Sequence, residues 1–292
     1  MKDIIARGMS MDGNISVIAA NTTVLVEKAR QLHLTSPVAT AALGRTLTAA
    51  SMIGISLKDE KESVTLRIKG DGPIGGITVV TDHESNVRGF VNNPMVELPI
   101  NEYGKLDVGG AVGKGTFTFI KDMGLKEPYV GQTPLVTGEI SQDITYYFAT
   151  SQQVPTSISL GVLVDTDGKV NVAGGCIAQL MPGATDEVAE KLEQNVLALP
   201  SITTMLNEGL TPDDIIYKIT DGFGTIVYNE KTYPEYVCKC SKDKMIKALI
   251  SLGKEEIDKL IDSEEEVEMV CHFCNFKYVF SDEEIKAIRD SL

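Results

Sequence analysis

Four cysteines near the C-terminal end constrain this chain more than any other feature: Cys238-Lys239-Cys240 and, after residues 241–270, Cys271-His272-Phe273-Cys274. Two close pairs brought together by a compact fold are the usual way to surround a zinc ion with four thiolates at about 2.3 Å. The spacing predicts one zinc per chain, held by Cys238, Cys240, Cys271 and Cys274, against the plainer alternative of unpaired structural thiols. His272 sits inside the second pair, too constrained to share that metal with both neighbours. Residues 232–292 carry nine Lys and Arg against fourteen Asp and Glu. A segment of about sixty residues is near the lower limit for a self-sufficient apolar core, and a metal is a common remedy.

The residues around the cysteines fit this reading. Ser241 is a good N-cap directly after Cys240, so a helix from Lys242 to Leu252, stopped by Gly253, would aim its positive end at the sulfurs. Lys239, Lys242, Lys244 and Lys277 are close enough in sequence to offset the negative charge of a four-thiolate centre. Ser281 and Glu284 form a capping box for a closing helix to about Asp290. The C-x-C pair departs from an ordinary zinc ribbon. Metal-bound sulfurs are thiolates, the species that oxidants attack; on oxidation each close pair can form its own disulfide, and the metal must then leave. A structural zinc contributes on the order of 10 kcal/mol in small zinc-finger peptides, so its loss should unfold the module.

Upstream, residues 1–181 read as one α+β core domain. Short strands are predicted at Ser63–Lys69, Gly76–Thr81, Thr116–Ile120 and Ser157–Asp165, with helices over 21–33 and 36–57. Few helices separate the strands, which argues for largely antiparallel pairing. The stretch 37–57 could be mistaken for a membrane span, but Arg45 and several Ser and Thr point to a buried helix with Ser36 and Pro37 at its start. From Pro182-Gly183 the texture changes to a helical connector, residues 182–231. Val188, Leu192, Val196 and Leu199 form one stripe, Ile202, Met205 and Leu206 a short turn, and Thr211-Pro212-Asp213-Asp214 starts a helix carrying Ile215, Ile216 and Ile219. Such short helices depend on packing against something else; on residues alone the connector reads as a static element docked on the core. The third part is a small zinc-binding α/β module, 232–292.

Several motifs fail on inspection. Gly70, Gly72 and Gly75 have dinucleotide-loop spacing, but the β-branched run at Ile77–Val80 reads as a strand where a helix is required. Gly113-Lys114-Gly115-Thr116 is likewise followed by a strand, and Asp165-Thr166-Asp167-Gly168 has Cys176 where a calcium loop needs Glu. His33, His83 and His272 read as surface or structural residues, and Cys176 as a buried inert thiol. No catalytic constellation emerges. A net charge of −14, from 27 Lys and Arg against 41 Asp and Glu, argues against nucleic acid or anionic membranes as partners. The first ten residues lack a signal-peptide pattern, which predicts a cytoplasmic chain.

Taken together, Tyr129-Val130-Gly131, Gly138-Glu139-Ile140-Ser141-Gln142-Asp143-Ile144, Tyr147-Phe148, Ser151-Gln152-Gln153-Val154-Pro155, Ala173-Gly174-Gly175 and the two cysteine pairs resemble the heat shock protein 33 family over essentially the whole chain. One departure is Gln152, where many members carry Glu. The resemblance implies an ATP-independent holdase that is inactive when reduced and zinc-bound. Oxidative stress with unfolding conditions would form Cys238–Cys240 and Cys271–Cys274 disulfides, expel zinc and destabilise the connector. The active form, a homodimer, would hold unfolding proteins. The resemblance replaces the static connector with a metastable cover. The rival is a constitutive zinc-stabilised module for RNA, ribosome or protein interaction, with Tyr233, Tyr236, Phe273, Phe276, Tyr278 and Phe280 either stacking on bases or forming a small core around the metal.

Overall fold

The helix that begins at Pro37 organises the larger part of the molecule. Sixteen of its eighteen residues are buried, all but Pro37 and Arg45. Its hydroxyls bond locally: Thr46 and Thr48 donate to the carbonyls of Ala42 and Gly44 at 2.9 and 2.8 Å, so burial leaves them satisfied. Arg45 pairs with Glu139 at 2.6 Å. Ser36 is the N-cap residue, yet its hydroxyl donates to the Val96 carbonyl and leaves the helix amides uncapped. Among the described residues no helix is long and apolar enough to cross a membrane.

The computed structural model describes residues 2–263 and 266–292 and divides into two compact units, 1–237 and 238–292. The first runs β1 (Ile4–Ser10), β2 (Ile15–Asn21), α1 (Thr23–His33), α2 (Pro37–Gly54), β3 (Ser63–Gly70), β4 (Ile77–Asp82), β5 (Val87–Val91), α3 (Val108–Val112), β6 (Gly115–Asp122), β7 (Tyr129–Pro134), α4 (Ser141–Thr150), β8 (Thr156–Val164), β9 (Val170–Leu180), α5 (Asp186–Ala198), α6 (Ile202–Asn207), α7 (Pro212–Ile219) and β10 (Thr225–Val227). The second runs α8 (Lys242–Ile250), α9 (Lys254–Asp262), β11 (Val267–Val270), β12 (Lys277–Phe280) and α10 (Asp282–Asp290).

Two five-stranded antiparallel sheets, in the orders β10-β1-β2-β9-β8 and β5-β4-β3-β6-β7, pack on α2. This is the α+β core expected from the strand pattern. Gly70–Gly76 is the connection between the paired strands β3 and β4, and Asp165–Gly168 the turn between β8 and β9, as their failure as ligand loops implied. The main core gathers α1, α2 and the inner sheet faces.

A second core lies on the other face of the first sheet. Ala6, Ile15, Val17, Ala19, Cys176 and Ala178 from the strands meet Leu192, Ile202, Met205, Leu206, Ile215, Ile216 and Ile219 from α5, α6 and α7. Thr211 caps α7 in a capping box with Asp214. Two glycines allow the close fit: a Cβ on Gly8 would lie 2.6 Å from Ile216 Cγ2, and one on Gly174 would lie 2.4 Å from Leu206 Cδ1.

The smaller unit has its own apolar cluster, with Leu249, Ile257, Phe280, Ile285 and Ile288 buried. Ser281 and Glu284 form the expected capping box. The helix expected to end at Leu252 stops at Ile250; after Gly253, at φ +85°, α9 begins.

Candidate metal centre

Cys238 and Cys240 lie just ahead of α8, and Cys271 and Cys274 lie in the turn joining β11 to β12. That turn is shaped by its backbone: the amides of Cys274 and Asn275 donate to the Cys271 carbonyl at 3.2 and 2.8 Å, and the Cys271 amide donates to Phe276 O at 3.0 Å. Asn275 adopts φ +56°, a left-handed conformation that Asn tolerates better than most residues. Ser241 Oγ accepts the Lys244 amide, so α8 starts one residue beyond Ser241.

The four sulfurs all lie within 4.8 Å of one another. Cys238 Sγ is 3.7 Å from Cys271 Sγ, and Cys240 Sγ is 3.5 Å from Cys274 Sγ. A tetrahedron with metal–sulfur bonds of about 2.3 Å has sulfur–sulfur edges of roughly 3.8 Å. The donor set and its spacing therefore fit one thiophilic metal ion, and the four cysteines could bind it.

The sulfurs differ in how readily they ionise. Burial pushes the Cys238 thiol far above its ordinary range and raises Cys274 to about 11. Burial opposes ionisation at Cys240 too, but hydrogen bonds from Tyr278 and the neighbouring thiols outweigh it, so Cys240 lies below the ordinary range. Tyr278 Oη donates to Cys240 Sγ at 3.0 Å. Its own pKa is raised to about 12 by that bond. The amides of Cys240 and Phe276 also favour charged sulfur at Cys238 and Cys274. A cation would replace the protons that keep the cluster from accumulating charge.

The lysines do less than their positions suggested. Lys242 pairs with Glu284 at 2.5 Å and Lys277 with Glu268 at 3.0 Å, while Lys244 donates to the Lys239 carbonyl. Sequence reasoning missed Tyr278 as a partner of Cys240. In the sequence it is one aromatic residue among several after Cys274, and only the β11–β12 pairing turns it toward the sulfurs.

Of the aromatic residues proposed as a core around the metal, Phe280 is buried in the smaller unit's own cluster and Tyr278 packs beside it, while Phe276 is 57% exposed. Tyr236 goes elsewhere. It is buried in the larger unit, where its hydroxyl donates to the Gly89 carbonyl at 2.7 Å and bonds to His33 Nε2 at 3.0 Å. His33 is thus a structural histidine. Cys176 lies in β9, and burial pushes its thiol up to about 12.

The core segments that carry the family resemblance also have structural work. Asp143, fully buried, accepts the amides of Val136, Thr137, Gly138 and Ile140 at 2.7 to 3.3 Å. Gln152 donates to the hydroxyls of Tyr129 and Tyr147 at 3.0 and 2.8 Å.

Comparison with known proteins agrees over the full length. The family model described as Hsp33 protein matches residues 3–281. The 33 kDa chaperonin of Lachnoclostridium phytofermentans is 50% identical, with 99% of this chain and 98% of that protein covered. That of Clostridium beijerinckii is 49% identical over 98% and 97% of the two chains. The crystal structure of the 33 kDa chaperonin from Thermotoga maritima superposes with a TM-score of 0.92 at 40% identity, covering 100% of this chain and 99% of that one. With the family model matched almost end to end and relatives at half identity, this chain belongs to the Hsp33 family of chaperonins.

Proposed function

We propose that this chaperonin is an ATP-independent holdase switched by oxidation of its cysteine centre. The observation that carries the reading is the second core: an apolar sheet face covered by three helices of 13, 6 and 8 residues. Helices this short have little stability of their own in water. Their release would uncover Ile15, Val17, Ala19 and Ala178, a surface suited to unfolding proteins.

In this reading the chain has three working parts: a chaperone core at 1–181, a metastable connector at 182–231 and a redox-switch module at 232–292, whose metal-dependent compact part begins at Cys238. Cys238, Cys240, Cys271 and Cys274 hold one zinc ion in the reduced state, which supplies the module with folding free energy. The module's own core offers five buried apolar side chains. At about 2 kcal/mol each these give roughly 10 kcal/mol before any entropic cost, and a structural zinc contributes a similar amount. Losing the metal would therefore remove about half of what holds the module together. One hydrogen peroxide per cysteine pair accepts two electrons and is reduced to two waters, with protons from the thiols or, where they are thiolates, from solvent; this gives Cys238–Cys240 and Cys271–Cys274 disulfides and leaves no thiolate for the metal. The activated form is a cytoplasmic homodimer that holds clients and catalyses no reaction.

The test is aggregation of an unfolding client at equal chain concentration, with zinc and free thiols counted in parallel. Oxidised protein should have lost one zinc and four thiols, keep Cys176 free, and suppress aggregation. Suppression no better than that by reduced, metal-loaded protein refutes the switch. Salt-dependent RNA binding by the reduced chain would instead favour a constitutive interaction module.

A further inference from the structure

The six residues before Cys238 form a strap that the metal centre does not need. Thr232 pairs with Ile5 in both directions, at 2.8 and 3.1 Å, and so joins the first sheet. Further along, the same segment joins the second sheet. The Val87 amide donates to Glu235 O and the Val237 amide donates to Val87 O, each at 2.9 Å. The Glu235 amide donates to Asn86 Oδ1 at 3.0 Å. Lys28 Nζ donates to the Tyr236 carbonyl at 2.9 Å.

The centre of the strap is Tyr236, 2% exposed and part of the main core. Its hydroxyl is held from three directions: it donates to Gly89 O at 2.7 Å, accepts the Gly89 amide at 3.2 Å and bonds to His33 Nε2 at 3.0 Å. Immediately ahead of the strap Lys231, mostly buried, pairs with Asp213 in the first turn of α7 at 2.6 Å. The strap is thus tied to a connector helix at one end and leads into the cysteine module at the other. Between α7 and the strap, β10 adds only three paired positions, none of them buried.

We propose that this strap is the threshold element of the switch: Tyr236 keeps α5–α7 in place after the module has lost its metal, and its release opens the cover. The proposal rests on the switch reading above. Unfolding that begins at Cys238 and spreads toward α7 must first extract Tyr236 and break the bonds to Val87, Gly89 and Ile5. Those bonds belong to the two sheets, whose stability does not depend on the metal. The unfolding conditions that the switch reading already requires would thus act at this strap, and the proposal assigns the threshold to Tyr236.

The test compares full-length wild type, Tyr236→Phe and Lys231→Met. Zinc release and thiol loss are measured beside binding of an apolar dye across a temperature series. Tyr236→Phe keeps the ring but leaves the buried Gly89 groups and His33 without the hydroxyl. The open fraction of the oxidised protein should rise about tenfold at a given temperature, equivalent to about 1.4 kcal/mol. Zinc release should be unchanged, and the reduced variant should stay closed. Lys231→Met should give a smaller shift of the same sign. Oxidised variants that open as wild type does overturn the proposal, as does a reduced Tyr236→Phe that opens equally, which would make the residue merely structural.

Amide exchange decides the point independently of client holding. In oxidised wild type below its opening temperature, the Val87 and Val237 amides should remain protected while amides of α8 and α10 exchange. Loss of protection at Val87 and Val237 together with the metal refutes the anchor. Intact protection in a protein that never holds clients at any temperature would refute the parent reading instead.

Discussion

Truncating Ile216 to alanine should open the connector without touching the cysteines. Ile216 is fully buried in α7, against the first sheet at Gly8. Removing its side chain beyond Cβ costs about 3 kcal/mol, within the range for large-to-small core changes. At about 1.4 kcal/mol per factor of ten, the population with α7 released should rise about 150-fold. In the reduced, metal-loaded protein this appears as increased dye binding and partial client holding, with zinc content unchanged. The control is Ile68→Ala in β3, a residue 1% exposed in the other core. It should lower the melting temperature by a comparable amount with little gain in dye binding before global unfolding. If Ile216→Ala binds no more dye than Ile68→Ala at equal loss of stability, the helices are not a separable cover, and the reasoning fails.

Four further outcomes follow. Removing the metal from the reduced protein with a chelator should melt α8–α10 while the two larger sheets persist, read by amide exchange; uniform loss of protection would contradict this. Oxidant mapping by mass spectrometry should find Cys271–Cys274 before Cys238–Cys240, because the longer loop forms a less strained ring, and Tyr278→Phe should slow modification of Cys240 in the reduced, metal-free protein several-fold, because it removes a hydrogen bond of order 1 kcal/mol that favours the thiolate; the opposite order, or no change at Cys240, counts against each. Burial raises the Asp3 carboxyl from 3.8 to about 6, outweighing the amides of Val24 and Leu25 that it accepts. The folded chain then holds this proton more tightly than the unfolded chain, so the stabilisation is complete below the unfolded value and is lost as pH rises through about 6. Melting curves should show up to about 3 kcal/mol less stability at neutral pH from this group, and Asp3→Asn should flatten that dependence; an unchanged slope refutes the assignment.

Much of this was legible because it rested on local rules. Pro37 and the small-residue run after it marked α2, Thr211-Pro212-Asp213-Asp214 marked α7, and Ser281 with Glu284 marked α10. The cysteine spacing singled out four residues that the structure brings together. Features set by distant partners were hidden. Tyr236 read as part of the module because it is two residues from Cys238, yet its contacts are with His33 and Gly89. Tyr278 reaches Cys240 through the register of β11 and β12. Gly253 read as a helix stop, and the second helix it introduces was missed, since a glycine serves either end.

The connector leaves the first sheet at β9 and returns to it at β10, so residues 181–224 form a loop whose two ends are fixed in one sheet. While β10 stays paired, a released cover cannot diffuse away. Its return is a unimolecular search, with loop-closure cost growing only slowly with length and a local concentration in the millimolar range typical of short tethers. If the chain holds clients as proposed, a bound client would compete with a tethered neighbour that is always present, and its release on reduction would need no added energy source, because a re-seated cover would displace it by occupancy alone.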